Sequence, residues 1–146
     1  MRPAMYTFIN RGLKMSPGKL AAQAQHAAVE AYRLTEQYES ELKEWGKPTK
    51  LDAWYEGGHY AKLVMLAEDD VHLLTIKHYL EERGFGTVLI IDEGRTEIKP
   101  HSMTALGVRL VDRDDPHTAA TFESFKTYRE PKAPKKHPGL NFIKRK

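Results

Sequence analysis

The chain has 146 residues, 40% apolar and 29% charged, with no cysteine. That length points to one domain with a real core, and the missing thiol excludes disulfides, thiol nucleophiles, iron–sulfur clusters and cysteine zinc sites. The longest uninterrupted apolar run, Leu63 to Ala67, has five residues, against the roughly 20 a membrane helix needs. No apolar h-region follows the N-terminus, so no secretory signal is expected. A cytoplasmic protein is the simplest expectation.

The net charge of +3 is unevenly spread. Residues 126–146 hold eight basic side chains (Lys126, Arg129, Lys132, Lys135, Lys136, Lys144, Arg145 and Lys146) against one acid, Glu130, so this end carries +7 and the other 125 residues carry −4. Pro131, Pro134 and Pro138 oppose helix there. The division expected is an α/β domain over residues 1–130 and a basic, proline-containing tail over 131–146. Such a tail is either a solvated arm or a phosphate-seeking arm for RNA. Phe142 and Ile143 suggest a tip that docks on something.

In chain order, Met5 to Ile9 is β-prone and reads as a strand. Ser16 suits an N-cap and Pro17 a first helical position. In the helix that follows, Leu20, Ala24, Ala27, Ala31 and Leu34 mark a buried stripe of small residues, and the pattern runs to about Trp45, before Gly46 and Pro48. Residues 49–59 read as a connector containing Gly57 and Gly58. Tyr60 to Ala67 reads as a second strand. Asp69 and Asp70 open a helix closed by Arg83 and Gly84. Thr87 to Ile91, almost wholly apolar, predicts a central strand. Thr104 to Val111 predicts a fourth strand. Asp115 and Pro116 open a last helix with Ala119, Phe122 and Phe125 on one side. This order predicts a single α/β domain, with a four-stranded mixed β-sheet flanked by helices on both faces. Trp45, Trp54 and Tyr55 read as a small satellite core, with a partner surface as the alternative.

Three chemistries find no support in the residues. Gly12 and Gly18-Lys19-Leu20 have the wrong spacing for a phosphate loop and lack its hydroxyl. No Gly-x-Ser-x-Gly elbow is present. No His-Glu-x-x-His pair exists, so catalytic zinc is not expected, and no cofactor is called for. The first helix is more informative. Lys19, Gln23, His26 and Glu30 recur at helical spacing on one face. Lys19 falls at the third helical position, where a cation opposes the helix dipole by about 0.3–1 kcal/mol. An anion bound at the helix start would reverse that penalty. Asp92 ends the third predicted strand, at the carboxyl edge where open α/β sheets place ligands. If the first and third strands are parallel neighbours, Asp92 and Thr96 face Lys19 and His26 across one crevice.

These residues fall into blocks. The run Leu13-Lys14-Met15-Ser16-Pro17-Gly18-Lys19-Leu20-Ala21-Ala22-Gln23-Ala24-Gln25-His26-Ala27-Ala28 resembles the opening of the type II peptidyl-tRNA hydrolases. Asp92-Glu93-Gly94-Arg95-Thr96-Glu97-Ile98 resembles that family's second block, and Thr104-Ala105-Leu106-Gly107-Val108 its third. The resemblance covers roughly residues 5–128. It implies a mixed four-stranded sheet and metal-free cleavage of the ester joining a peptide to the terminal ribose of tRNA. It points to Lys19, Gln23, His26, Asp92, Thr96 and Thr104.

On that basis Asp92 and His26 would orient and deprotonate water, either one taking the proton, and Thr96 would position it. Lys19 would stabilise the oxyanion or a terminal phosphate. Lys14, Gln23, Arg95 and Thr104 would serve substrate binding. Against the family pattern, Pro17 replaces a lysine, Glu93 and Glu97 add negative charge, the connector before the second strand is about ten residues longer, and the basic tail is extra. A non-catalytic homologue that binds tRNA or another RNA is the alternative, and an esterase for a different acyl compound is a third. The expected partner is tRNA, with the tail in contact with RNA and no membrane. The oligomeric state stays open, a dimer included.

Overall fold

The computed structural model describes residues 1–93 and 99–131. Strand β1 (Pro3–Asn10) leads through a short 3-10 turn into helix α1 (Pro17–Tyr38), followed by α2 (Ser40–Glu44) and α3 (Lys50–Glu56). Then come β2 (Lys62–Ala67), α4 (Asp70–Glu82), β3 (Thr87–Asp92), β4 (Ser102–Val108), β5 (Val111–Asp112) and α5 (Pro116–Phe122). The sheet order is β2-β1-β4-β3. β1 runs parallel to β2 and antiparallel to β4, and β4 runs antiparallel to β3. Among the described residues, no helix is long and apolar enough to cross a membrane.

β1 is buried along its whole length because its alternate side chains enter two cores. Ala4, Tyr6 and Phe8 join Leu73, Ile76 and Leu80 of α4 and Phe122 of α5 on one face. Met5 and Ile9 point to the other face, where Ala27 and Ala31 of α1 and Trp54 of α3 lie. Helices on both faces therefore match the sequence pattern. The small residues of α1 allow a close approach to the sheet. A Cβ at Gly107 of β4 would sit 2.7 Å from the carbonyl oxygen of Ala27.

Several details differ from the sequence expectations. β3 lies at the sheet edge, not at its centre, and β4 separates it from β1. Its apolar run reflects helices on both faces: Leu89 packs on the α4 side and Ile90 on the α1 side, whereas Ile91 near the strand end is exposed. An apolar run reports covered faces, not paired edges. Helix α1 stops at Tyr38 because Glu39 turns inward, where its carboxylate accepts the Lys50 and Leu51 N–H groups at 2.7 and 3.1 Å. Those groups open α3, a helix within the stretch expected to be a connector. The second strand starts at Lys62, since His59 and Tyr60 adopt φ of 51° and 55°. The fourth is broken after Val108, and its continuation β5 pairs with the start of β1. In α5 the buried residues are Thr118, Thr121 and Phe122, whereas Ala119 is exposed. Of the expected satellite core only Trp54 is buried, while Trp45 and Tyr55 are exposed.

Beyond α5 the chain crosses the outer edge of β2. Lys126 accepts from the Leu66 N–H and Tyr128 donates its N–H to Val64, both at 2.8 Å, which shields that edge. The packing of α1 on β4 yields a prediction. Gly107→Ala should destabilise the protein by about 1–3 kcal/mol in urea unfolding. Gly18→Ala, where a Cβ meets nothing within 4 Å, should stay within about 0.5 kcal/mol of the parent.

Candidate active site

The start of α1 is built locally. The Ser16 hydroxyl accepts the Lys19 N–H at 3.3 Å and Pro17 occupies the first turn. Lys19 is thus held in the first turn with its side chain folded toward the sheet. At the same end of the sheet, β3 terminates in Asp92. The Lys19 ammonium donates to Asp92 Oδ1 at 2.8 Å, with only 12% and 11% of the two side chains exposed. The anion that offsets the unfavourable cation at this helix start is therefore the protein's own carboxylate.

A second donor reaches the same oxygen. Gln23, one turn further along α1 and 2% exposed, directs its Nε2 to Asp92 Oδ1 at 3.3 Å. Its Oε1 accepts the Thr104 hydroxyl at 2.6 Å. The direction of this chain is forced. An ionised carboxylate only accepts, so the amide must present N–H to Asp92 and its carbonyl to the hydroxyl. Thr104 is fully buried and owes its position to a β-bulge. The register steps from Ile90↔Ala105 to Ile91↔Met103, which leaves Thr104 as the extra residue. Bulges re-aim side chains in this way, and here Thr104 points to the α1 face alongside Ala105.

Buried Asn10 supports the same end of the sheet, a role that sequence reading missed. Its Nδ2 donates to Asp70 Oδ1 at 2.6 Å and to the Met103 carbonyl at 2.9 Å. Its Oδ1 accepts the Gly12 N–H at 3.0 Å. The end of β1, the start of α4 and the strand beside Thr104 are thereby joined. The signal was present in a polar residue ending a β-prone run just before Gly12. His101 was also passed over. It has φ of 63° and donates its backbone N–H to the Asp92 carbonyl at 2.6 Å.

Of the residues singled out from sequence, the structure brings Lys19, Gln23, Thr104 and Asp92 into one bonded set. They meet although β1 and β3 are not neighbours, because both run in the same direction with β4 between them. His26 is exposed, three residues beyond Gln23, and its side chain makes no hydrogen bond or ion pair with another described residue. Lys14 is exposed with φ of 51°, at the end of the 3-10 turn. Arg95 and Thr96 lie outside the described residues, as does Glu97, whereas Glu93 is exposed beside Asp92.

This α/β layout, with a lysine–aspartate pair at the carboxyl end of its strands, accompanies a sequence match over most of the chain. Residues 4–124 match the family model described as peptidyl-tRNA hydrolase PTH2, and the chain belongs to that family. It is 39% identical over 110 residues to a peptidyl-tRNA hydrolase of Pyrobaculum aerophilum, a match covering 72% of this chain and 86% of the relative. A peptidyl-tRNA hydrolase of Thermococcus onnurineus is 38% identical over 75% of this chain and 89% of its own length. The mouse protein named peptidyl-tRNA hydrolase 2, mitochondrial is 37% identical over 71% of this chain and 52% of its own.

The buried chain of donors can be tested without any activity. Thr104→Val keeps the shape but leaves the Gln23 carbonyl without its donor. It should cost about 1–3 kcal/mol in urea unfolding, and Thr104→Ser should recover most of that loss.

Proposed function

We propose that this chain hydrolyses the ester between a peptidyl, or other N-blocked aminoacyl, group and the 3′ ribose of tRNA, with water as nucleophile. Family membership supports the reaction class. The observation that carries the reading for this chain is the Lys19–Asp92 pair at 2.8 Å, at the end of the sheet where open α/β folds receive ligands. A water bound against the carboxylate would attack the ester carbonyl carbon. Its proton passes to Asp92 or His26, the C–O bond to the ribose breaks, and the departing 3′ oxygen takes a proton. The products are a free peptide carboxylate and tRNA.

In this scheme Lys19 serves the developing oxyanion, where a cation placed in advance lowers the barrier. Thr96 positions the water, and Lys14 and Arg95 hold the acceptor end. The burial of Gln23 and Thr104 favours a positioning role for both: they hold the Asp92 carboxylate in place, and Gln23 meets substrate only at its amide edge. The tail adds cations to the RNA contact, and the cysteine-free composition suits work in the cytoplasm.

The decisive assay follows ester loss from an N-blocked aminoacyl-tRNA in the presence of EDTA. Turnover by the parent chain is expected. Asp92→Asn should lower kcat/KM by about 10²–10⁴-fold and Lys19→Met by about 10²–10³-fold, with far-UV circular dichroism unchanged. Tight tRNA binding without turnover would instead establish a non-catalytic RNA-binding homologue. In a separate binding experiment, neutralising Lys132, Lys135 and Lys136 to Gln should reduce the slope of log affinity against log salt by about 2. An unchanged slope would remove the tail from the RNA contact.

A further inference from the structure

The α1 face carries an apolar groove that the catalytic reading leaves unused. It has a volume of about 300 Å³ and is lined by Ala28, Val29, Tyr32, Trp54, Tyr55 and Tyr60. Val29 is 59% exposed, Tyr55 47% and Tyr60 49%. Leaving this much apolar surface in water is unfavourable, and the rings are nevertheless held open. Tyr60 stands edge-on to both Trp54 and Tyr55, at 5.4 and 5.1 Å. It does so from a left-handed backbone shared with His59, a conformation costly for non-glycine residues.

Tyr32 and Tyr55 also line a second pocket, of about 170 Å³, which holds Glu36, Glu39, Asp52 and Lys43. Glu39 is engaged by the Lys50 and Leu51 N–H groups. Glu36 and Asp52 form no ion pair with another described residue. An apolar groove thus opens onto an acidic pocket across two shared tyrosines. Acidic surroundings disfavour a phosphate chain, so RNA is a poor occupant.

We propose that the groove is the docking site of this chain's own C-terminal segment, with Leu140, Phe142 and Ile143 in the groove and Lys144, Arg145 and Lys146 at the acidic pocket. The order of the segment, apolar then cationic, matches the order of the two pockets. The chain also leaves the described domain on the correct side. Tyr128 packs on the α1-side cluster, as do Leu20 and Ala24 of α1. Ala28 and Tyr32 lie four and eight residues beyond Ala24, about 6–12 Å along the helix. The nine steps from Pro131 to Leu140 span about 30 Å when extended, which is ample. Docking at the tip would lay Lys132, Lys135 and Lys136 along α1, a strap anchored at both ends. This inference does not depend on ester hydrolysis.

The absence of cysteine makes the test clean on the full chain. Gly139→Cys accepts a single nitroxide label. The amide signals of Val29, Tyr55 and Tyr60 and the Trp54 indole signal should lose most of their intensity, while Val71 and Leu74 of α4, on the opposite face, stay sharp. Adding Phe142→Ser and Ile143→Ser should restore the groove signals. The proposal is overturned if the groove signals stay sharp, or if the double substitution leaves the broadening intact. It is equally overturned if broadening appears only between labelled and isotope-enriched chains in a mixed sample, which would make a second copy the occupant. Groove signals that respond only when tRNA is added would assign the groove to RNA instead.

Discussion

One carboxylate organises the functional end of this molecule. Asp92 ends an edge strand and would stand exposed, yet it is nearly buried because α1 delivers an ammonium and an amide to the same oxygen. Taking a lysine and an aspartate out of water is costly, and their attraction repays that cost only when geometry and further hydrogen bonds are good. Here Gln23 supplies the further bond and Thr104 fixes Gln23. The site is a short relay of donors, from a buried hydroxyl outward to a charge pair at the surface. Its direction is set by the inability of a carboxylate to donate.

That relay holds only if α1 lies at one height and one rotation above the sheet. The close approach of the Ala27 carbonyl to Gly107 is what sets both, because a Cβ at Gly107 would sit 2.7 Å from that oxygen. The same helix face that buries Ala27 and Ala31 begins at Gln23, so the seating of the helix and the aiming of Gln23 are one event. On the sheet side, the bulge at Thr104 and the bonds from Asn10 to Asp70 and Met103 fix the facing strand. Stability and chemistry therefore share residues here. Within the bonded set, only Lys19 and Asp92 present charge toward solvent.

Helix α3 shows how one buried cap becomes surface chemistry. Its entry is capped by Glu39, a buried acid that also ends α1. A helix begun there brings Trp54 beneath the sheet and leaves Tyr55 outside it. The aromatic groove is a by-product of that capping, placed well along α1 from the Lys19–Asp92 pair. The α3 segment and the cationic tail lie outside the three sequence blocks that carry Lys19, Asp92 and Thr104.

The sequence by itself determined the helix–strand alternation, the capped start of α1, the small-residue stripe that seats it and the family blocks containing Lys19, Gln23, Asp92 and Thr104. These are local: caps, periodicity and contiguous motifs depend on neighbours in the chain. Tertiary structure decided the rest. Whether β3 was central could not be read from its apolar residues, because two covering helices leave the same trace as two flanking strands. Glu39 looked like one more solvated acid until the start of α3 came to it from eleven residues away. Thr104 became part of the relay only through a bulge, a register event between strands distant in sequence. The ammonium and the carboxylate, 73 residues apart, meet because the directions of β1 and β3 agree across β4, and strand direction is a property of the whole sheet.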